Sequence, residues 1–445
     1  MDSTTRRSPV RAALLSLLWP GLGQVYRGRR FKGLALAAPP LLLLIAAGSL
    51  ALFVGPPVFV AHLLIPAYAA MAGLLVALVI GWWVVAVLDA GRPHDGRSRA
   101  VSVFALALLL LVGAWAASVV LSLFEAGQQV AQPIATPRAA PAVTPGPGQQ
   151  GPTPGQTSEP TPTPNPNARI TVLFLGADLG RGPEGDLTDT IQIASFDPTT
   201  GQIAMISVPR DTAQLPMYDG RTWERKINEL SSYAANHPDE FPDGAQTLEL
   251  QLEYIVGIPI DYYAVVNFDG FRKLVDAVGG VKVTLDRPIA DAGYSRGPDQ
   301  PRGFFMEPGD HHLDGPTALA YVRSRHGPGN SDYQRARRQQ QVLLALRQQV
   351  NDPLVLANLP SIVEAASQMV RTNAPLEHLP QIVSILQAST RAEAETYVLR
   401  PPQFAEVIPR DEVGRVFMTR LKMDAVAELS IRLFGDESRY AREDR

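Results

Sequence analysis

Five arginines fall between positions 323 and 338: Arg323, Arg325, Arg335, Arg337 and Arg338. They face one nearby acid, Asp332, and the run has no lysine. A guanidinium stays charged when partly buried and donates in pairs, so this concentration beside apolar helix surface suits a phosphate ligand. A solvated basic face would show the same count. Upstream, carboxylates stand where β-branched runs stop or start: Asp178 after Ile170 to Leu175, Asp189 before Thr190 to Phe196, and Arg210-Asp211 after Ile203 to Val208. Open α/β sheets build sites at strand ends, although a single Asp there also serves as a turn former or cap. Carboxylates and arginines in one domain make a metal-phosphate site, and Mg²⁺ takes one or two carboxylates plus phosphate oxygens and water. His311-His312 is a poor zinc pair, because adjacent residues seldom reach one ion and no third ligand presents itself.

The elements that must carry these groups alternate between strand and helix texture from Arg169 onward, which predicts an α/β domain with a sheet covered by helices. Asp197-Pro198-Thr199-Thr200-Gly201 turns the second strand into the third, and Tyr262 to Asn267 leads through a short helix to Gly279-Gly280 and the strand Val281 to Leu285. A helix begun near Asp314, with Pro316 just inside its start, runs into Arg323 and Arg325. The next, about Tyr333 to Val350, places Arg335 and Gln339 four residues apart on one face, beside the apolar stripe Val342, Leu343 and Leu346. That stripe, with Leu354, Leu356, Leu359, Ile362 and Val363, reads by itself as ordinary core. Pro380 to Ala388 and Asp424 to Leu433 read as helices and Glu395 to Leu399 as a strand, with no chemistry attached to them.

The apolar residues are unevenly spread along the 445 positions. Residues 1–124 read as an all-α transmembrane region, with spans at roughly 33–54, 67–89 and 101–124, each near the ~20 residues a bilayer needs. Ala12 to Val25, broken by Trp19-Pro20-Gly21-Leu22-Gly23-Gln24, reads as interfacial, and a cleavable signal peptide is not expected with more spans following. Arg6, Arg7, Arg11, Arg27, Arg29, Arg30 and Lys32 precede the first span, and Arg92, Arg97 and Arg99 lie in the second loop, whereas the 55–66 connection has only His62. Positive residues stay cytoplasmic, so three spans from a cytoplasmic N-terminus carry residue 125 onward outside. Residues 125–168 form a Pro/Thr/Gly-rich linker, an extended spacer or simple disorder, and 169–445 form the extracytoplasmic domain with its core over 170–350. A net charge of -3 argues against a nucleic-acid partner, and zero cysteines remove disulfides and thiolate chemistry.

Taken in order, strand-Gly-Ala-Asp178, Asp189-Thr190, Val208-Pro209-Arg210-Asp211-Thr212 and Lys226-Ile227-Asn228 resemble the LytR-CpsA-Psr family of bacterial cell-wall proteins. The match continues through Ile258 to Phe268, Gly270-Phe271, Leu274-Val275-Asp276, Gly279-Gly280-Val281, Leu313-Asp314-Gly315, Ala318 to Arg325, Asp332, Arg335 and Arg338-Gln339. Each motif alone is weak, and their order over 170–350 carries the resemblance. It implies a central mixed sheet covered by helices, a groove for a polyprenyl chain, and a Mg²⁺-pyrophosphate site at its mouth. Under it the apolar stripe from Val342 to Val363 would form one wall of a lipid sleeve. Asp178 and Asp189 would be metal ligands, and Arg210, Arg323, Arg325 and Arg335, with Gln339, would bind the pyrophosphate. The family's arginine two residues before the second acid is Leu187 here, and Leu179-Gly180 intervene before Arg181, which stands in as a further phosphate binder. The activity implied is transfer of a glycopolymer, such as teichoic acid or capsule, from a polyprenyl-pyrophosphate donor to peptidoglycan or another wall acceptor; the multi-pass cell-membrane region of this chain is longer than the family's usual single anchor. Arg210, Asp211 and Asp189 would be its catalytic residues. The rivals are a non-catalytic polyprenyl-phosphate sensor, a pyrophosphatase using water, and a DNA-binding regulator, which fits net acidity poorly.

Overall fold

A computed structural model describes residues 8–91, 96–130, 168–177, 188–295, 302–327, 331–349, 352, 355, 362, 370–390, 392–409, 412 and 416–443. They form two units, divided after Gln129. In the first, α1 (Pro9–Leu18) and α2 (Leu22–Tyr26) precede α3 (Arg30–Val54), α4 (Pro56–Leu63), α5 (Pro66–Ala90) and α6 (Gly96–Val130). Among the described residues α3 and α5 are long and apolar enough to cross a bilayer, the mark of a membrane anchor, and α6 holds a shorter apolar stretch, Leu106–Leu121. The charge-poor 55–66 connection, read as a loop, contains α4. The last helix runs past residue 124 to Val130, so the spacer does not begin where its composition first changes. Glu125 to Gln132 holds no proline to stop it, and the first is Pro133. The rest of the Pro/Thr/Gly segment lies outside the described residues.

The break at Trp19-Pro20-Gly21 has a packing reason. Gly21 has φ +94°, and a Cβ there would lie 2.0 Å from the Gly33 carbonyl oxygen, so the turn sits directly on α3. Gln24, buried, donates to the Ala86 carbonyl at 2.8 Å and to Asp89 Oδ2 at 3.2 Å, and accepts from Ser16 Oγ at 3.1 Å. Polar side chains that would be costly inside an apolar unit are thereby paired, and α1, α2 and α5 are tied together.

The second unit is built on a mixed six-stranded sheet. In chain order its strands are β1 (Ile170–Ala177), β2 (Thr188–Phe196), β3 (Ile203–Ser207), the short pair β4 (Leu215–Pro216) and β5 (Thr222–Trp223), and β6 (Tyr262–Val266). Then come β7 (Val281–Leu285), β8 (Ile289–Asp291), β9 (Phe304–Met306), β10 (Gly309–Leu313), β11 (Val370–Thr372), β12 (Ala394–Val398), β13 (Ala405–Val407) and β14 (Thr419–Leu421). The central order is β11-β6-β1-β2-β3-β12, with β6 parallel to β1, β12 parallel to β3 and the other neighbours antiparallel.

Side chains alternate along these strands. Leu173 and Leu175 on β1 and Ile191 and Ile193 on β2 enter one buried core with the helices α7 (Leu230–Asn236) and α8 (Gly244–Val256). The intervening Phe174, Thr190 and Gln192 face the other way and line a groove with residues of α11 (Asp332–Gln348). Between them in sequence lie α9 (Phe268–Ala277), capped by Asn267, and α10 (Gly315–Arg323), capped by Asp314, whose side chain accepts from Thr317 N at 2.9 Å. The Leu379–Ser389 and Met423–Phe434 helices and β12 fall where the sequence placed two helices and a strand.

Candidate functional site

Asp189 owes its exposure to a defect in the sheet. Gly176 registers with Thr190 and Ala177 with Thr188, so Asp189 is the extra residue of a bulge between β1 and β2. A bulge re-aims its side chain out of the ladder, and the Asp189 carboxylate is 39% exposed. Arg210 comes from the turn after β3, where the Pro209 carbonyl accepts from Thr212 N at 3.1 Å and Thr212 Oγ1 at 2.6 Å. That turn is gripped from outside the core: Thr419 N donates to the Asp211 carbonyl at 3.0 Å, and Ala213 N donates to the Thr419 carbonyl at 2.8 Å. Asp332 and Arg335 occupy the first turn of α11, whose N-terminus is capped by Ser331 Oγ, 3.2 Å from Gln334 N.

These elements converge. Arg210 Nη1 donates to Asp189 Oδ1 at 2.6 Å, and its Nε donates to Asp332 Oδ2 at 3.1 Å. Arg335 Nη2 reaches the Asp189 carbonyl oxygen at 3.0 Å and Asp332 Oδ2 at 3.4 Å. One turn on, Gln339 Nε2 donates to Thr190 Oγ1 at 2.8 Å and the Val322 carbonyl at 3.2 Å. Asp189, Arg210, Asp332, Arg335 and Gln339 line one small cavity. Gln339 and Thr190 also border the adjoining apolar groove, which Arg323 enters with its guanidinium 4.1 Å over the Phe268 ring. Past Leu343 and Phe174, which line both, a second apolar cavity runs on between the sheet and the Leu379–Ser389 helix. A polar mouth therefore adjoins a long apolar slot.

Burial opposes the charge on Arg210, but the bond it donates to Asp189 and the charges of Asp332, Asp189 and Asp211 outweigh it and raise its pKa. Arg335 goes the other way. Its burial, reinforced by the charges of Arg210 and Arg325, lowers its pKa against the pull of Asp332 and Asp189, and its Nε has no partner among the described residues. Arg335 is thus a buried cation paired with Asp332 and left with one unpartnered nitrogen among the described residues.

The five-arginine run divides by role. Arg335 faces the cavity, Arg323 the groove, and Arg325 stands in the loop after α10, where its backbone N donates to Asp291 Oδ2 at 3.0 Å. Arg337 is exposed. Arg338 is buried and donates to the carbonyls of Tyr321 and Ser324, which makes it a brace for the end of α10. Asp211 turns away from the cavity to pair with Lys226, with one oxygen 4.0 Å from Arg210 Nε. Asp178, Arg181 and Leu187 lie outside the described residues, as do Leu354, Leu356, Leu359 and Val363 of the proposed sleeve. The sequence named Asp332 as the one acid beside the basic run and as part of the family match, without a role of its own, and attached no role to Thr419 or Asp291.

The donors suit a divalent cation. Among the described residues no three His, Asp or Glu side chains cluster as a metal site, but Asp189 projects a hard carboxylate into the cavity. Mg²⁺ needs only one or two such ligands when phosphate oxygens and water fill the rest of its shell. His311 and His312 sit at successive positions of β10, each with Nε2 against a backbone carbonyl, of Glu307 and Gly279, both at 2.7 Å.

The family model described as the LytR_cpsA_psr family matches residues 148–408. The chain is 33% identical over 206 residues to the polyisoprenyl-teichoic acid–peptidoglycan teichoic acid transferase TagV of Bacillus subtilis (strain 168), covering 46% of this chain and 49% of that protein. It is 32% identical over 212 residues to the regulatory protein MsrR of Staphylococcus aureus (strain COL), covering 47% and 58%. The chain spans about half the length of the curated relatives it matches. The crystal structure of B. subtilis TagV aligns with a TM-score of 0.48 at 23% identity, covering 60% of this chain and 96% of that one.

Proposed function

The chain belongs to the LytR-CpsA-Psr family, and from that premise we propose that it transfers a glycopolymer from a polyprenyl-diphosphate carrier to peptidoglycan or another cell-wall acceptor. The observation that carries this reading is the junction of two environments. Arg210 and Arg335, bridged by Asp189 and Asp332, stand at the mouth of an apolar groove whose rim holds Arg323 and Gln339. A diphosphate joined to a long hydrocarbon needs both surfaces side by side, and the incompletely partnered Arg335 gains from an added anion. TagV carries in its name a polyisoprenyl-linked teichoic acid and a peptidoglycan acceptor.

In the reaction a hydroxyl oxygen of the acceptor forms a bond to the glycan-proximal phosphorus. The bridging P–O bond breaks and polyprenyl phosphate departs with its electron pair. Arg210 and Arg335 hold the phosphoryl oxygens and Arg323 the lipid-side phosphate, so charge that accumulates on leaving is met by groups already in place. Asp189, with Asp178 as the second ligand the family resemblance implies, would hold Mg²⁺, which would supply neutralisation of the diphosphate's charge. Asp189, which lines the cavity, is the carboxylate placed to receive the acceptor's proton, and Asp211, fixed by Lys226 and turned away, acts only through its charge 4.0 Å from Arg210 Nε. Three spans from a cytoplasmic N-terminus would put this domain outside the cell, where the wall acceptor lies.

The test supplies a polyprenyl-diphosphate glycan to the purified full-length protein with and without peptidoglycan. Release of polyprenyl phosphate that requires the acceptor, with glycan phosphate joined to it, is the expected result. Release with water alone would make the protein a pyrophosphatase, and binding without release would make it a sensor.

A further inference from the structure

We propose that Asp291 and Arg338 are positioning residues for the diphosphate-binding arginines: two buried, opposite charges that hold the segment carrying Arg323 and Arg325 from its two sides. The inference rests on the reading of Arg323 and Arg325 as diphosphate ligands.

Asp291 ends β8 and is 1% exposed. Its Oδ2 accepts three bonds from consecutive residues: Ser324 Oγ at 3.0 Å, Arg325 N at 3.0 Å and His326 N at 3.1 Å. The backbone N–H groups just beyond α10 are therefore satisfied by a carboxylate. Arg338 approaches from α11, 7% exposed, and donates from Nε to the Tyr321 carbonyl at 2.7 Å and from Nη2 to the Ser324 carbonyl. The carbonyls left free at the end of α10 are in this way satisfied by a guanidinium, the sign that a helix C-terminus favours. A carboxylate on the amides and a cation on the carbonyls fix the path of residues 321–326 without using either functional arginine. Gly327 closes the arrangement with φ +102°, and a Cβ there would meet the Ala290 carbonyl at 1.9 Å.

The charge of Asp291 favours the charged form of Arg338. Burial would raise the Asp291 pKa, but the bonds from His326, Arg325 and Ser324 hold it below the usual carboxylate range. Burial brings Arg338 down to about 10, which leaves it charged at neutral pH. Arg323, Arg325 and Arg335 repel one another when no anion is bound, so a rigid, precharged mount keeps them from dispersing between turnovers.

The experiment measures binding of geranylgeranyl diphosphate to the full-length protein in detergent, for wild type, Arg210→Ala, Asp291→Asn, Ser324→Ala, Arg323→Ala/Arg325→Ala, and that double variant with Asp291→Asn added. Asp291→Asn is expected to bind about tenfold more weakly, the scale of one charged hydrogen bond, and to add nothing once both arginines are gone. Ser324→Ala, which deletes one of the three donors and keeps the fold, is expected to shift binding the same way by a smaller factor. If Asp291→Asn and Ser324→Ala both bind like wild type while Arg210→Ala does not, the positioning role is wrong and the site reading stands. Equal losses with and without Arg323 and Arg325 would also overturn it. No binding by the wild type would overturn both.

Discussion

Arg210 donates from two nitrogens to two carboxylates on different elements, Asp189 on the β2 bulge and Asp332 on α11. Its removal takes away a proposed phosphate ligand and leaves two acids facing each other without their shared cation. Arg210→Ala is expected to lower transfer by roughly 10²–10³-fold, the range for losing one preorganised donor, with an unchanged circular dichroism spectrum. A single-turnover assay checks the rate. Glu249 gives a pH-dependent counterpart away from the site. Burial first, then the charges of Glu253, Asp243 and Asp261, lift its pKa to about 7 against the bond from Asn373. A carboxyl raised in the fold favours the protonated state, so its contribution to stability is complete below its ordinary value of 4.5 and is lost as pH rises through about 7. Glu249→Gln should therefore raise the melting temperature near pH ~8 and leave it unchanged near pH ~4, as calorimetry would register. The types and helical spacing of Arg335 and Gln339 were enough to put them on one face. They could not separate Arg335 from Arg338, one turn away, because the carbonyls that claim Arg338 belong to the end of another helix.

At the scale of elements, the strand ends were legible as a place, whereas the bulge that projects Asp189 was not, since nothing local in Thr188-Asp189-Thr190 marks a register shift. The grip of β14 on the arginine turn was equally hidden, because a pairing between residues about 200 positions apart leaves no local pattern. Thr419→Pro removes the N–H that donates to the Asp211 carbonyl, and it is expected to cut transfer while leaving the sheet intact; comparing turnover with melting temperature separates the two effects. The groove offers a complementary change. Leu343 lines both apolar cavities, so Leu343→Trp should weaken binding of long polyprenyl diphosphates and spare a short-chain one such as dimethylallyl diphosphate. Equal affinities for the long chain in both proteins would argue against the groove as the lipid's path.

Across the whole molecule, the separation of an apolar helical unit from a second domain was plain from hydropathy, and the sheet of that domain from its β-branched runs. The extra helix α4 and the extension of α6 to Val130 were not, since neither coincides with the bounds of a long apolar run. The orientation rests on the positive residues around the first span and in the second loop; a reporter fused after Phe124 should be active only outside the cytoplasm. The central claim is that one site holds a diphosphate at its mouth and a polyprenyl chain in its groove. It is tested most directly by mass spectrometry of lipid that co-purifies with the full-length protein and with its Arg210→Ala/Arg335→Ala variant. Polyprenyl phosphate or diphosphate abundant in the wild type and depleted in the variant is the predicted result. Its absence from the wild type, or equal amounts in both, would contradict the account.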